Sequence, residues 1–282
     1  ASYGWRDREA GLAVEPDTLW RIASMTKPIT SVAAMTLWEE GAFELNDPIS
    51  KWLPAFADAR VYVKGYDRTM VTVPSPEPIR VWHLLSHTSG LTAGFMRGSV
   101  VDGLYRDAGY EFGAPPHPSI AECVDDWARL PLLFQPGTAW GYGVSTDVLG
   151  RLIEIWSAQT LDAAISNRVL EPLGMVDTVW WCDPSRRDRL AALYLPGEDG
   201  AAVRSEFTEL ATYRPAILSG GGGLLSTMSD YLRFTRMLLN DGTLDGTRVL
   251  SPRTLRLMRT NHLDGDLGSW STGGFAETAF DG

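Results

Sequence analysis

Apolar positions along the chain follow two rhythms. Between Pro28 and Gly41, the residues Ile29, Val32, Ala33, Thr36 and Leu37 recur every three or four positions. That is the period of one helix face, and Gly41 supplies a stop. The same spacing predicts helices over Ser119–Leu130 (with Ser119 as its cap), Ser145–Trp156, Leu161–Val169 and Ser251–Arg259. A further helix runs from a Ser226 or Thr227 cap to about Leu239, and a short one covers Ile79–Ser86. Alternation marks Val61–Val73, where Val61, Val63, Met70 and Thr72 flank a bend near Lys64–Asp67, the pattern of a hairpin. Ala1–Trp5 and Thr18–Ala23 read as strands, with a turn over Arg6–Leu12. Residues 91–117 read as a long irregular loop, and Arg186–Tyr194 fits either helix or strand. Helices fill the middle and strands lie at the ends. This predicts an α+β fold: an antiparallel sheet domain from residues 1–27 and 261–282, a mainly helical domain over 28–260, and a cleft between them.

Composition narrows the function. With 282 residues and 44% hydrophobic content, the chain can bury a large core. Its net charge is −10 and no basic stripe interrupts it, so neither nucleic acid nor an anionic membrane is an expected partner. No apolar run approaches the ~20 residues of a membrane span. Cys123 and Cys182 are too few for a disulfide framework or a zinc cage and are expected to be buried free thiols. His83, His87, His117 and His262 are scattered and form no metal set, and Gly220–Gly223 lacks the Gly-Lys-Ser/Thr of a phosphate cradle. No metal, nucleotide or other cofactor is expected. Cytoplasmic placement is preferred. Periplasmic or secreted placement stays open, because the N-terminus reads as beginning inside a fold. The oligomeric state is not readable.

The candidate chemistry is Ser24-Met25-Thr26-Lys27 at the head of the first helix. Residues three apart share one helix face, so Lys27 can reach the hydroxyl of Ser24 and help remove its proton. The spacing leaves a plainer reading open, in which Ser24 or Thr26 caps the helix, Pro28 lies in its first turn and Lys27 is solvated. A Ser-His-Asp arrangement through His87 is set lower, since the chain has no Gly-x-Ser-x-Gly elbow.

The order of motifs carries more weight than any one of them. Arg21-Ile22-Ala23-Ser24-Met25-Thr26-Lys27-Pro28 is followed by Leu45-Asn46-Asp47-Pro48 and His83-Leu84-Leu85-Ser86-His87-Thr88-Ser89-Gly90-Leu91. Then come Gln135-Pro136-Gly137 leading to Tyr142, Asp147-Val148-Leu149-Gly150, Glu171-Pro172-Leu173-Gly174-Met175 and Gly221-Gly222-Gly223-Leu224. Over nearly its whole length the sequence resembles the class C β-lactamase-like serine hydrolases, including the family VIII carboxylesterases and penicillin-binding proteins. The resemblance implies the sandwich fold of that group. It also implies that Ser24 is the acylated nucleophile, that Lys27 and Tyr142 act as a coupled base, and that the Ser24 N–H is one oxyanion donor. It reads His87 as structural and the glycines around Gly222 as a turn beside the cleft.

Two departures shape the expected function. Where β-lactamases of this class carry Tyr-x-Asn, this chain has Tyr142-Gly143-Val144, and valine cannot bond the amide of a β-lactam. An ester is therefore the favoured substrate. The third motif of the group has only one candidate, Ser271-Thr272-Gly273-Gly274. The chain reads as truncated at both ends relative to the group. Trp140, Val144, Tyr105 and Gly222, with Tyr110 and Trp180, are the candidate walls of the substrate site. The expected protein is a carboxylesterase for short or medium acyl esters. The alternatives are a β-lactamase or D-amino-acid peptidase, and a non-catalytic binding homologue or inactive fragment lacking the third motif.

Overall fold

The computed structural model describes residues 2–111 and 118–263. Strand β1 (Trp5–Asp7) turns back onto β2 (Leu12–Ala13), and β3 (Trp20–Arg21) leads to the first helix, α1 (Thr26–Glu39). α1 buries Ile29, Val32, Ala33, Thr36 and Leu37, the face the spacing predicts, and Ala34 and Met35 beside them. Its chain leaves through Gly41, whose φ of +79° suits a residue without a Cβ. The expected hairpin forms from β4 (Arg60–Lys64) and β5 (Val71–Pro74), followed by α2 (Val81–Leu85).

Within the stretch read as a loop, residues 100–107 form a helix, α3 (Val100–Asp107). Ser99 caps it by accepting the Asp102 N–H at 3.1 Å, and the Asp102 carboxylate takes the Ser99 N–H at 2.7 Å in return. α4 (Ile120–Arg129) carries the predicted Ser119 cap, and α5 (Ser145–Ser157) packs along α1 through the centre of the core. The single helix expected over 161–169 is divided into α6 (Leu161–Ile165), a π turn at Ser166–Leu170 and α7 (Glu171–Leu173). Arg186–Tyr194 resolves into the end of a 3₁₀ segment (Pro184–Arg189) and the start of β6 (Tyr194–Pro196), which pairs with β7 (Ala202–Arg204). α8 (Phe207–Leu210), β8 (Leu225–Ser226) and α9 (Met228–Leu239) follow, with Thr227 as the α9 cap. The hairpin of β9 (Thr243–Leu244) and β10 (Thr247–Arg248) precedes α10 (Pro252–Arg259), capped by Ser251.

The strands among the described residues pair two by two, all antiparallel. The pairing that matters for function is β3 with β8, Trp20 opposite Ser226 and Arg21 opposite Leu225. It brings the segment before Ser24 against the segment after Gly221–Gly223. Leu225 also bridges Val179, and Leu19, Cys182, Leu190 and Leu225 pack into a small core of their own. The main core surrounds α1 and α5. Cys123 and Cys182 are both buried free thiols. From residue 264 on, the strands expected near the C-terminus lie outside the described residues, as does Ser271–Gly274. No described helix is long and apolar enough to cross a membrane.

Candidate active site

Ser24 stands where β3 gives way to α1. Ala23 has φ +44°, a left-handed conformation that costs a residue with a Cβ on the order of 1 kcal/mol. Contacts on both sides hold this turn. The Ile22 N–H donates to the Leu224 carbonyl (3.1 Å), the Leu224 N–H donates to Thr26 Oγ1 (3.2 Å), and the Tyr231 hydroxyl donates to the Met25 carbonyl (3.0 Å). Thr26 is therefore committed to Leu224 and does not cap α1, and Ser24, on a 3₁₀ turn, makes no cap bond either. The outcome is an exposed Ser24 beside a half-buried Lys27.

Tyr142 arrives on the loop between α4 and α5. That loop runs beside residues 87–92. The Leu133 N–H donates to the Gly90 carbonyl (2.7 Å), Gly137 to Thr88 (2.7 Å), Gly141 to His87 (2.9 Å) and Val144 to Thr92 (3.3 Å). At Gly143 the backbones approach so closely that a Cβ would lie 2.5 Å from the Thr92 Cα, which explains the glycine after Tyr142. The Tyr142 ring lies parallel to His87 (centroids 5.4 Å apart, 11°), meets Phe95 edge-on (6.2 Å) and has Trp140 at 6.3 Å.

These elements place three polar atoms in a row. Ser24 Oγ is 2.5 Å from the Tyr142 hydroxyl oxygen. Lys27 Nζ donates to that oxygen at 2.6 Å, and to the Gly221 carbonyl at 2.6 Å. The Gly221 N–H in turn donates to Asp147 Oδ1 (3.1 Å). A serine hydroxyl, a tyrosine oxygen and a lysine nitrogen in contact form the set that serine activation needs.

His87 is half-buried, its ring set against this row. Burial, aided by the charge of Lys27, pulls its pKa down to about 4. His83, buried under the same loop with Nδ1 accepting the Arg80 N–H (3.0 Å), is held down to about 4 by burial and by Arg80. Both rings are neutral in the folded protein at neutral pH and protonate near 6.5 once unfolded. The unfolded chain thus binds protons that the folded one does not. The contribution of these two rings is flat above about pH 6.5 and falls as pH drops towards 4, by at most about 3 kcal/mol per ring. Lys27, Tyr142 and Trp140 face His87. Urea midpoints are expected to fall between pH 7.5 and 4.5, and His87→Gln to remove about half of that fall. An unchanged fall in the variant would assign the pH dependence elsewhere.

Over residues 1–276 the chain matches the model of the beta-lactamase family, described simply as "Beta-lactamase". The chain belongs to the beta-lactamase family. Among proteins of this kind it is 40% identical over 260 residues to an uncharacterized protein of Mycobacterium tuberculosis, covering 92% of this chain and 63% of that one. It is 34% identical over 250 residues to Esterase EstB of Burkholderia gladioli (82% of this chain, 59% of EstB). Of solved structures, EstCE1, described as a hydrolase with promiscuous acyltransferase activity, superposes with TM-score 0.74 at 28% identity (91% of this chain, 67% of that one). The chain thus spans about three fifths of the length of these two curated relatives.

Of the sequence-derived candidates, the structure brings Ser24, Lys27 and Tyr142 together and sets Trp140 beside them. Gly222 is exposed and borders the Ser24 turn, its Cβ position 3.8 Å from the Ala23 carbonyl carbon. Val144 sits at the N-terminus of α5 with its side chain against the core. Tyr105 departs from the expectation: it is 1% exposed, on the inner face of α3, and forms no wall of the site. It is in the core because residues 100–107 are a helix with an apolar side, not a covering loop. Trp180 is likewise buried, under Gly223, and Tyr110 donates to Asp126 (2.9 Å). Phe95 and Asp147 are parts of the site that sequence reasoning did not assign to it, and Gly221, expected only as part of a turn beside the cleft, holds Lys27 through its carbonyl. Asp147 was legible only as a first-turn helix carboxylate.

Proposed function

We propose that this protein is a serine carboxylesterase acting on short or medium acyl esters through an acyl-enzyme at Ser24. The observation that carries the reading is the contact series from Ser24 Oγ to Tyr142 (2.5 Å) and from Tyr142 to Lys27 (2.6 Å). As Ser24 Oγ attacks the ester carbonyl carbon, its proton passes to the Tyr142 oxygen, the coupled Tyr142–Lys27 pair reacting with one proton fewer than a phenol and an ammonium hold together. The Ser24 N–H, at the head of the 3₁₀ turn and α1, supports the developing oxyanion. Collapse breaks the bond to the alcohol oxygen, which takes the proton from Tyr142 and leaves. Water then attacks the Ser24 ester with Tyr142 accepting its proton. The carboxylic acid is released and Ser24 regains its hydrogen.

An ester is favoured over a β-lactam because position 144 is valine and its side chain packs on the core, so it offers no amide to the cleft. The esterase and hydrolase named among the relatives support the same class.

A fluorophosphonate is the direct test. Intact mass with peptide mapping is expected to find one adduct, on Ser24, in protein that hydrolyses p-nitrophenyl butyrate more efficiently than nitrocefin. Absence of an adduct would replace this reading with a non-catalytic binding protein. Nitrocefin turnover rivalling ester turnover would replace it with a β-lactamase.

A further inference from the structure

The geometry assigns Asp147, the third residue of α5, as the positioning residue that holds Lys27 against Tyr142 through the Gly221 peptide; this rests on the esterase reading above. A carboxylate in the first turn of a helix would, by position alone, serve the helix dipole. Asp147 instead reaches across to a segment 72 and 74 residues further along the chain. Its Oδ1 accepts from Ser219 Oγ (2.5 Å) and from the Gly221 N–H (3.1 Å). The other side of the same residue, the Gly221 carbonyl, accepts from Lys27 Nζ at 2.6 Å. One polar path therefore runs from Asp147 through Gly221, Lys27 and Tyr142 to Ser24.

The path is packed as well as bonded. A Cβ at Gly221 would lie 2.5 Å from Asp147 Oδ2, so the peptide and the carboxylate are in contact and residue 221 has to be glycine. The preceding carbonyl, Gly220, accepts from Thr30 Oγ1 of α1 at 2.8 Å, and a Cβ at Gly220 would lie 2.8 Å from the Thr146 carbonyl oxygen. Residues 219–221 are thus clamped between α1, which carries Lys27, and α5, which carries Asp147. Burial pushes the Asp147 carboxyl's pKa up, against the pull of Ser219, the Gly221 N–H and the charge of Lys27. The chain bears the cost of a desolvated carboxyl whose Oδ1 ties down Ser219 and Gly221, the residue whose carbonyl anchors the lysine.

Without the Oδ1 acceptor, the Gly221 N–H is left unsatisfied, and the Gly221 carbonyl that anchors Lys27 loses the bond that fixes its residue. Lys27 Nζ then loses one of its two anchors. Displacements of about 1 Å at a catalytic group cost up to about a hundredfold in rate. Asp147→Ala is therefore expected to lower kcat for p-nitrophenyl butyrate, per Ser24 titrated with fluorophosphonate, by about 10- to 100-fold. KM is expected to stay within about threefold, because Asp147 does not touch substrate. Asp147→Asn keeps an oxygen at Oδ1 for both bonds and is expected to restore most of the rate. If Asp147→Ala does not fold, Asp147→Ser gives the same comparison, being too short to reach the Gly221 N–H. A kcat for the alanine or serine variant within threefold of wild type overturns the assignment. So does an asparagine variant as slow as the alanine one, since hydrogen bonding would then not be the cause. Wild-type protein with neither turnover nor adduct would instead count against the esterase reading, and is recognised before any variant is made.

Discussion

Ser24→Ala is expected to lower ester hydrolysis by at least about a thousandfold, some 4 kcal/mol in the barrier, and to abolish the fluorophosphonate adduct. The reason is position. Ser24 Oγ lies 2.5 Å from the Tyr142 oxygen, and Lys27 reaches that same oxygen. The change leaves the fold in place. Ser24 is exposed, and its neighbours Ile22 and Thr26 are fixed through Leu224, so removing one hydroxyl is expected to shift stability by no more than about 0.5 kcal/mol. Lost activity in this variant, with an unchanged melting temperature, therefore reports chemistry. Turnover near the wild-type rate would mean that another group attacks the ester and would end the assignment of Ser24.

Tyr142→Phe separates the two halves of the proposed base. The phenyl ring keeps its contacts with His87, Phe95 and Trp140, while the oxygen joining Ser24 to Lys27 disappears. General-base assistance contributes about 10²–10⁴ in rate, so kcat is expected to fall by that range, about 3–5 kcal/mol. KM is expected to change little, since the lost interaction belongs to the transition state. The rate of phosphonylation at Ser24 should fall in parallel, because that reaction needs the same proton removed. A loss below tenfold would make Lys27 the direct base, with Tyr142 confined to protonating the leaving alcohol.

The parts of this molecule legible in the sequence are those written locally. α1 was readable because its core face repeats at helical spacing, and α4, α9 and α10 because Ser119, Thr227 and Ser251 each accept an N–H three residues on. The β4–β5 hairpin was readable from alternation. α3 was concealed by the glycines and aromatics around it, although Ser99 and Asp102 carry a capping signature and Val101 and Tyr105 mark its buried side. Missing that helix is what placed Tyr105 in the substrate wall. The division of 161–173 by a π turn left no trace in an apolar periodicity that continues across it.

For the site, Ser24 and Lys27 were readable together because one helical turn joins them. Tyr142 needed the ordered set of motifs. The partnership of Asp147 with Gly221 was unreadable, because a carboxylate early in a helix has an adequate local explanation and its real partners are set by how α5 meets a distant loop. The parallel His87 ring has the same origin: the Gly141–His87 bond aligns two segments that the sequence keeps far apart.

The separations between these partners bear on how the candidate site comes into being. Tyr142 lies 118 residues from Ser24 and 115 from Lys27, and Gly221 lies 194 residues from Lys27. Helices such as α1 and α5 form on the microsecond scale from neighbouring residues, whereas contacts across such distances wait for long loops to close. During folding the Ser24–Lys27 pair is therefore complete as a helix turn well before it can do chemistry. An immature or partly unravelled molecule carries a harmless serine, and competence appears only once both distant segments have docked. The row from Ser24 to Lys27 is thus also a checkpoint on the finished fold.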